Sequence, residues 1–584
     1  MSKLKIGVTL LGLLLLVALP TQLKSHGIYL FTYWLIYVIA TMGLNLTVGY
    51  AGQKSLGHAA FFGIGAYAVA IMMKAGFSFW LGLPVAAVLC FTVGLILGFP
   101  ALRVQTIYLA FATLGFNTAV WLVMRNEEWL TGGTFGINNI ARPQAFGISF
   151  DGNLAYYYLV LSVALLLGAL LWGLLRSPWG KAFTALRDNP IRAESLGIDT
   201  RSYTLMSFAI GAVYAGIAGA LFGSLVQFID PAPFTVEASI MMYLMVVVGG
   251  PGYFLGPLLG AAVGVILPEW LRFAQAWYLL IFGLSVMVLM VWLPDGLLSW
   301  PDRWRARQQA INAGLWAGAP TSQGCFQGAC STRSPPMSQA LLKVTDLKKS
   351  YGAIQAVGGV SFQVYPGEIF GVIGPNGSGK TTLFNSMLGQ ITPDSGRIEL
   401  NGQDVSGMGP LALNRLGVGR TFQTLQVFGK MTVRDNLIVA AQEHRGSMFS
   451  RMFAPGDSGL GAKADALIDQ FRIRHVADKR AGELSYGQQK LVDIAMAFMS
   501  EPDLVLLDEP CAGVNPSLVG GISQLLKDLN KTRKGSFVVI EHNMDFVMDL
   551  CHRIMVMVEG QVMAIGTPDE IRANKQVLDA YLGN

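Results

Sequence analysis

The chain has 584 residues, 53% of them hydrophobic and only 13% charged, with mean hydropathy +0.48 and a formal net charge of +6. Soluble proteins average about 25% charged residues, so a large part of this chain must face lipid. The positive balance is explained by loop Lys and Arg of a membrane protein and gives no reason to expect a nucleic-acid partner. Five cysteines (Cys90, Cys325, Cys330, Cys511, Cys551) form no paired framework. Cys325 and Cys330 make a C-x4-C without a nearby His, a poor metal site, and the second half of the chain reads as reduced and cytosolic.

Lys3 and Lys5 ahead of the apolar stretch 6–19 resemble the start of a signal peptide. Ala18-Leu19-Pro20-Thr21 is no cleavage site, and the stretch is read as a first transmembrane helix. Further hydrophobic runs follow, so the set is 6–20, 28–48, 57–73, 79–99, 104–124, 155–175, 203–226, 236–249, 254–270 and 276–293. This predicts an all-α polytopic membrane domain of about ten helices over residues 1–308. Arg176, Lys181, Arg187, Arg192 and Arg201 in the loop after the sixth run, and Arg303, Arg305 and Arg307 after the last, belong inside. The loop 125–153, with Glu127, Glu128 and Asp151, then falls outside.

Gly252, Gly256, Gly260 and Gly264 recur every four residues, and Gly219 with Gly223 makes a second G-x-x-x-G. Such stripes let helices approach closely in lipid, and packing is favoured over substrate contact. Asn45, Asn117 and His58 lie in or beside spans, where bonding to another helix is the favoured role and lining a cavity the alternative. Residues 309–340 are rich in Gly, Ala, Ser and Pro, the composition of a flexible linker, and Met337 just before the next domain fits a join of two genes.

From Leu341 the composition is that of a cytosolic α/β domain, 341–584. Residues 374–381 read Gly-Pro-Asn-Gly-Ser-Gly-Lys-Thr after an apolar strand-like run, fitting the G-x-x-x-x-G-K-[ST] phosphate loop. The backbone of Gly374, Pro375, Asn376, Gly377, Ser378 and Gly379 can close around a polyphosphate, and the helix start at Thr381 and Thr382 adds its dipole. Lys380 supplies a point charge for the β- and γ-phosphates, and Thr381 a hydroxyl for Mg²⁺. Four apolar residues, Leu504 to Leu507, precede Asp508. They read as a buried strand that delivers Asp508 to the metal and sets Glu509 to polarise a water.

These elements occur in order with Tyr351, with Arg420-Thr421-Phe422-Gln423, with Leu484-Ser485-Tyr486-Gly487-Gln488-Gln489 and with Glu541-His542. The set resembles the ATP-binding cassette of ABC transporters over essentially all of 341–584. That resemblance implies ATP and Mg²⁺ as cofactors, Glu509 as general base, and His542 on the γ-phosphate. It implies Gln423 as a sensor of metal and γ-phosphate that reports to the membrane domain. It also implies Tyr351 stacked on adenine, with ordinary packing as the alternative for that aromatic. Leu484, Ser485, Tyr486, Gly487 and Gln488 would serve the nucleotide of an opposite cassette. Tyr486 stands where a glycine is usual and Asn515 where an aspartate is usual, variants that resemble those in cassettes of branched-chain amino acid importers.

The membrane half resembles importer permeases of that same branched-chain (hydrophobic) amino acid family. The resemblance rests on Ser177-Pro178-Trp179-Gly180-Lys181-Ala182-Phe183, on Gly43-Leu44-Asn45-Leu46, on Gly52-Gln53-Lys54-Ser55-Leu56-Gly57-His58 and on Thr131-Gly132-Gly133-Thr134-Phe135-Gly136-Ile137. A short amphipathic helix ending near Gly197 is what docking into a cassette groove would need. The chain thus looks like the second permease of such a system joined to its first ATPase. The family implies a second permease subunit, a second ATP-binding subunit, an extracytoplasmic substrate-binding protein and a bacterial inner membrane. Branched-chain or related amino acids are the expected cargo. Urea, short amides or aromatic acids are the alternatives on the same architecture. An exporter is disfavoured by the short loops.

Overall fold

The apolar runs of the first half become helices wherever the computed structural model describes them, namely at residues 12, 14–101, 106–145, 148–272, 277–293, 295–300, 339–441, 459–533 and 535–577. Two units result: Met1–Arg187 with Arg201–Gln323, and Asp188–Thr200 with Gly324–Asn584. Most of the first expected span, the basic cluster at 303–307, Cys325 with Cys330 and nearly all of the expected linker 309–340 lie outside the described residues.

In the first unit, α1 (Ser25–Leu44) continues into a π turn at Asn45–Tyr50. It is followed by α2 (His58–Lys74), α3 (Phe79–Ala101), α4 (Thr106–Asn126), α5 (Asn153–Arg176) and α6 (Pro178–Asp188). The short α7 (Pro190–Ser195) belongs to the other unit. Then come α8 (Thr200–Val226), α9 (Val236–Gly249), α10 (Gly256–Ala261), α11 (Leu267–Trp270) and α12 (Tyr278–Trp292). The helix count agrees roughly with the ten expected. Among the described residues, four helices are long and apolar enough to cross a membrane: Ser25–Tyr50, Phe79–Phe99, Asn153–Arg176 and Thr200–Val226. The 14 residues of α9 rise only about 21 Å against a hydrocarbon core of about 30 Å. Gly250, at φ +117°, turns the chain there.

The glycine stripe packs helices, as its spacing predicts. A methyl group on Gly260 would strike the Met245 carbonyl, and one on Gly264 the Met245 side chain, so α10 and the π turn after it lie directly on α9. Gly252 departs from the stripe, since it sits in the turn before α10 at φ +83°. Gly219 faces the Phe62 carbonyl and Gly223 the Ile229 side chain. The polar residues bond between elements. Asn45 Nδ2 donates to the Tyr253 carbonyl at 3.0 Å and its Oδ1 accepts from Gly252 N at 2.9 Å. Asn117 Oδ1 accepts from the Ser239 hydroxyl at 3.2 Å, and His58 Nε2 lies 3.0 Å from the Ala40 carbonyl.

The short helix expected to end near Gly197 is α7, which stops at Ser195 and is separated from α6 by a break at Asn189. Pro190 drives the preceding residue out of helical geometry, and Asn189 is extended at φ −158°, ψ 98°. Its side chain then caps α7 by accepting from Arg192 N at 2.9 Å.

Among the described residues, the second unit contains two sheets. Strands β1 (Leu342–Tyr351), β2 (Ile354–Val364), β4 (Ser395–Leu400) and β5 (Gln403–Asp404) form an antiparallel sheet ordered β2-β1-β4-β5. Strands β3 (Ile369–Ile373), β6 (Val418–Arg420), β7 (Leu504–Asp508), β8 (Ser536–Ile540), β9 (Arg553–Val558) and β10 (Gln561–Gly566) form the other, ordered β6-β7-β8-β3-β9-β10. All its neighbours are parallel except β9 and β10. Strands β3, β7 and β8 are buried at every position, which is why they read as unbroken apolar runs. A core of Leu347, Val360, Phe370, Val372, Leu383 and Met555 joins the sheets.

Candidate active site

Parallel register decides which residues meet. Asp508 is paired with Ile540, and Ile540 with Val372, so β7, β8 and β3 end at one edge of the sheet. The phosphate loop leaves β3 there, Asp508 and Glu509 end β7, and Glu541 and His542 follow β8. Open parallel sheets place ligands at this carboxyl edge.

The loop turns on Gly377 and Gly379, at φ +81° and +91°. Gly379 caps α13 (Lys380–Met387), and a Cβ there would strike the Ala356 carbonyl, so only glycine fits. Lys380 Nζ donates to the carbonyls of Gly374 and Pro375, both at 2.8 Å. Burial lowers the Lys380 pKa, and the charges of Glu509 and Asp508 oppose that shift. A cavity of about 480 Å³ opens over the loop. Asn376, Gly377, Ser378, Gly379, Lys380, Thr381 and Thr382 line it from the loop, and Gln423, Glu509 and His542 from the facing side.

Glu509 is the meeting point of that facing side. Its Oε1 accepts from Gln423 Nε2 at 3.1 Å and lies 3.1 Å from His542 Nε2. Its backbone adopts φ +45°, uncommon for a residue with a Cβ, and its N–H donates to the Ile540 carbonyl at 2.9 Å. Asp508 is buried, and its N–H donates to the Thr421 hydroxyl at 3.0 Å. Burial, and then the neighbouring Glu509 carboxylate, push the Asp508 pKa up to about 6, while Lys490 and Arg420 pull it down.

Not every expected residue reaches the cavity. Tyr351 is half-exposed at the end of β1, with Lys349 Nζ 5.8 Å from its ring centroid, and Ile354 lines the cavity nearby. The stretch Leu484 to Gln488 lies away from it, where Ser485 and Gln488 form a capping box at the start of α15 (Tyr486–Phe498); α14 (Val433–Ala441) precedes it in the chain. The unusual Tyr486 packs on Gly513, where an added Cβ would lie 2.8 Å from Cε1 of the tyrosine ring.

Two groups carry roles that the sequence did not assign: Glu541, named there only beside His542, and Lys490. Glu541, buried, accepts from Cys511 N at 2.7 Å and His542 N at 3.0 Å, tying the segment after Glu509 to the residue after β8. Lys490, fully buried on α15, donates to the Phe422 carbonyl at 3.4 Å and carries positive charge toward Asp493, Asp508, Glu541 and Glu509. Lys490 had a signal: a basic residue among the apolar positions of a core helix needs buried acids.

Comparison with known proteins fits this geometry. A family model described as "Branched-chain amino acid transport system / permease component" matches residues 28–291, and one described as "ABC transporter" matches 357–512. A third, "Branched-chain amino acid ATP-binding cassette transporter", matches 561–584. The high-affinity branched-chain amino acid transport ATP-binding protein LivG of Escherichia coli (strain K12) is 38% identical over 253 residues, 42% of this chain and 99% of LivG. The permease protein LivM of the same organism's high-affinity system is 34% identical over 310 residues, 49% of this chain and 73% of LivM. A crystal structure of an ABC transporter cassette in its ADP conformation is 33% identical, covering 42% of this chain and 100% of that one, with a TM-score of 0.39. The second unit therefore binds ATP and hydrolyses it in service of transport. The chain belongs to the branched-chain amino acid ABC transporter family, with permease and ATPase carried on one polypeptide.

Proposed function

We propose that this chain imports branched-chain or related amino acids across a bacterial inner membrane, and that it is one half of a heteromeric assembly. The need for a second cassette is carried by one phosphate-loop site beside one signature segment that does not line it, and unlike partners are favoured by the likeness of the two halves to separate ATPase and permease proteins. Only one phosphate loop and one Leu-Ser-x-Gly-Gln pattern occur in the sequence, so each nucleotide needs a signature from a second cassette. The partners are a second permease, a second ATP-binding subunit and an external substrate-binding protein. Residues 1–308 form the permease and 341–584 the cassette, with 309–340 a tether free of chemistry.

Within the site, Glu509 is the general base that takes a proton from the attacking water through its Oε2. Its Oε1 is held by Gln423 and His542. His542 also faces the γ-phosphate position, and Lys380 with the backbone of 376–381 holds the phosphate chain. Tyr351 stacks on adenine, and Ser485, Tyr486 and Gly487 serve the partner's nucleotide. The residues fit a divalent cation. Asp508 is a buried carboxylate disfavoured as an anion, beside the Thr421 hydroxyl, and Thr381 and Gln423 add neutral oxygens at the cavity wall. Mg²⁺ bound by Thr381, Gln423 and Asp508 would neutralise charge on the phosphate oxygens.

The test is reconstitution in lipid vesicles with ATP, the binding protein and radiolabelled leucine, isoleucine or valine, with urea, acetamide and benzoate as competitors. Uptake is expected only when the partner permease and cassette are present. Equal uptake by this chain alone would replace the heteromer with a homodimer, and displacement only by urea, acetamide or benzoate would reassign the cargo. Separate chains 1–312 and 337–584 are expected to restore uptake, with weaker assembly as effective concentration falls from about the mM range.

A further inference from the structure

The cassette unit has a second cavity, of about 400 Å³, lined by Phe498, Glu501, Pro502, Asp503, Arg533 and Gly535. Asp503 and Gly535 come just before β7 and β8, whose far ends carry the catalytic carboxylates, so the two cavities lie at opposite ends of the same strands. Phe498 ends α15, and Arg533 ends α16 (Pro516–Arg533). After α15 the chain turns at Glu501, which takes φ +50° and donates its N–H to the Phe498 carbonyl at 3.2 Å, and Pro502 cannot continue the helix. Arg533 Nη1 donates to that same carbonyl at 3.1 Å. Phe498 and Pro502 supply the apolar part of the lining, and the Phe498 ring is seated edge-on against Phe537, 5.3 Å between centroids.

The charges around this cavity are left open. Arg533 and Asp503 border the same space with opposite signs, yet they form no ion pair, and neither has another charged partner among the described residues. Sheet pairing keeps them apart: Asp503 N–H donates to the Gly417 carbonyl at 2.9 Å, and Ser536 N–H donates to the Asp503 carbonyl at 3.0 Å. Glu501 Oε1 lies 3.0 Å from Lys463 Nζ at the surface, and an exposed pair of this kind is weak enough to yield to a ligand. Separated opposite charges across a preformed cavity with an apolar wall suit a small molecule that carries both signs and a hydrocarbon part. The volume falls within the range of about 300–1,000 Å³ usual for small-molecule sites. A phosphate ester is disfavoured, because two carboxylates share the lining with one guanidinium.

We propose that this cavity binds a free aliphatic α-amino acid. Arg533 takes the carboxylate through its remaining donors, Asp503 with Glu501 takes the ammonium group, and the side chain lies on Phe498 and Pro502. A bound ligand ties the end of α15 to the end of α16 beneath β7 and β8, so the cassette meets the product that its own chain delivers. The inference rests on the import reading above for the choice of leucine as probe.

The test is hydrogen exchange of the full chain in detergent, without nucleotide, in the presence and absence of millimolar leucine. Exchange is read at residues 498–504 and 529–533, which separates this cavity from any cargo site in the membrane unit. Leucine is expected to slow exchange there at least about threefold. Leucinamide, which lacks the carboxylate, and isocaproate, which lacks the ammonium group, are each expected to give less than about a third of that protection. Arg533→Gln and Asp503→Asn should each abolish the leucine effect while exchange of β3 stays at its wild-type rate. No protection by leucine, or equal protection by either analogue, overturns the proposal. That comparison uses wild type alone, so it decides even where a variant fails to fold. Protection by leucine without leucine uptake in the reconstituted assembly would sustain the site and refute the import reading, whereas uptake without protection overturns the site alone.

Discussion

Replacing Glu541 by glutamine keeps the volume but turns one of its two acceptor oxygens into an NH₂ donor. Oε1 accepts from Cys511 N at 2.7 Å, while Oε2 accepts from His542 N at 3.0 Å and from Asn543 N at 3.4 Å. A glutamine amide has one oxygen. With that oxygen on Cys511, its NH₂ opposes two backbone donors; flipped, it opposes Cys511 and forfeits the shortest contact. At least one bond to a charged acceptor is lost either way, about 1.5–3 kcal/mol. Glu541→Gln is therefore expected to destabilise β7 and β8 by about 2–3 kcal/mol. Hydrogen exchange of those strands in the detergent-solubilised full chain reads this directly. Because Cys511 and His542 flank Glu509, turnover should fall about 10- to 100-fold through misplacement. ATP KM should stay nearly constant, since Glu541 makes no contact with the phosphate loop. Unchanged exchange together with unchanged turnover would refute the argument that this carboxylate holds the two segments in register.

Glu509→Gln should retain ATP binding and lose at least about 10²-fold in steady-state turnover, and near-normal turnover would remove it from the role of base. His552 Nδ1 accepts from Ile369 N at 2.9 Å, and burial lowers its pKa. The unfolded chain takes up this proton below about pH 6.5 while the folded one resists it, so cassette stability should fall as pH drops from about 6.5 toward the lower folded value. His552→Asn, which keeps an acceptor, should flatten that slope in melting curves between pH 7.5 and 5, and an equal slope in both proteins would contradict it. Gly260→Ala places a methyl against the Met245 carbonyl and should cost about 1–3 kcal/mol in detergent thermal stability. Gly115→Ala, with open surroundings, should change little, and equal effects of the two would undo the packing reading.

What the sequence discloses and what it withholds separate along physical lines. The apolar runs, the phosphate loop and the order of cassette elements follow from periodicity and from glycine placement, which are local. Helix length is less legible than apolarity, because α2 and α9 are as apolar as the long helices yet stop at 17 and 14 residues, with Gly76 and Gly250 at positive φ just beyond them. The break between α6 and α7 was readable in Asn189-Pro190. Glu541 could be named from the Glu541-His542 pair, but its role could not, because Cys511 lies 30 residues away and is brought to it by the parallel register of β7 and β8. Arg192 looked like an ordinary inside-facing loop charge, and only its burial against Asp493 sets it apart from Arg187, which instead donates to the Gly49 carbonyl.

One helix gathers these threads. On α15, Ser485 to Gln488 form the N-terminal cap, Lys490 faces the Asp508, Glu509 and Glu541 carboxylates, and Asp493 faces Arg192. Lys490 and Asp493 are three residues apart and so share a face, with the cap one turn before them. A packed helix moves as a body, because close-packed interiors transmit displacement instead of absorbing it. In the proposed assembly a shift of α15 therefore changes three things together. The end offered to the partner's nucleotide moves, the countercharge near this chain's own catalytic carboxylates moves, and so does the seat of the segment leading into α6 and α8.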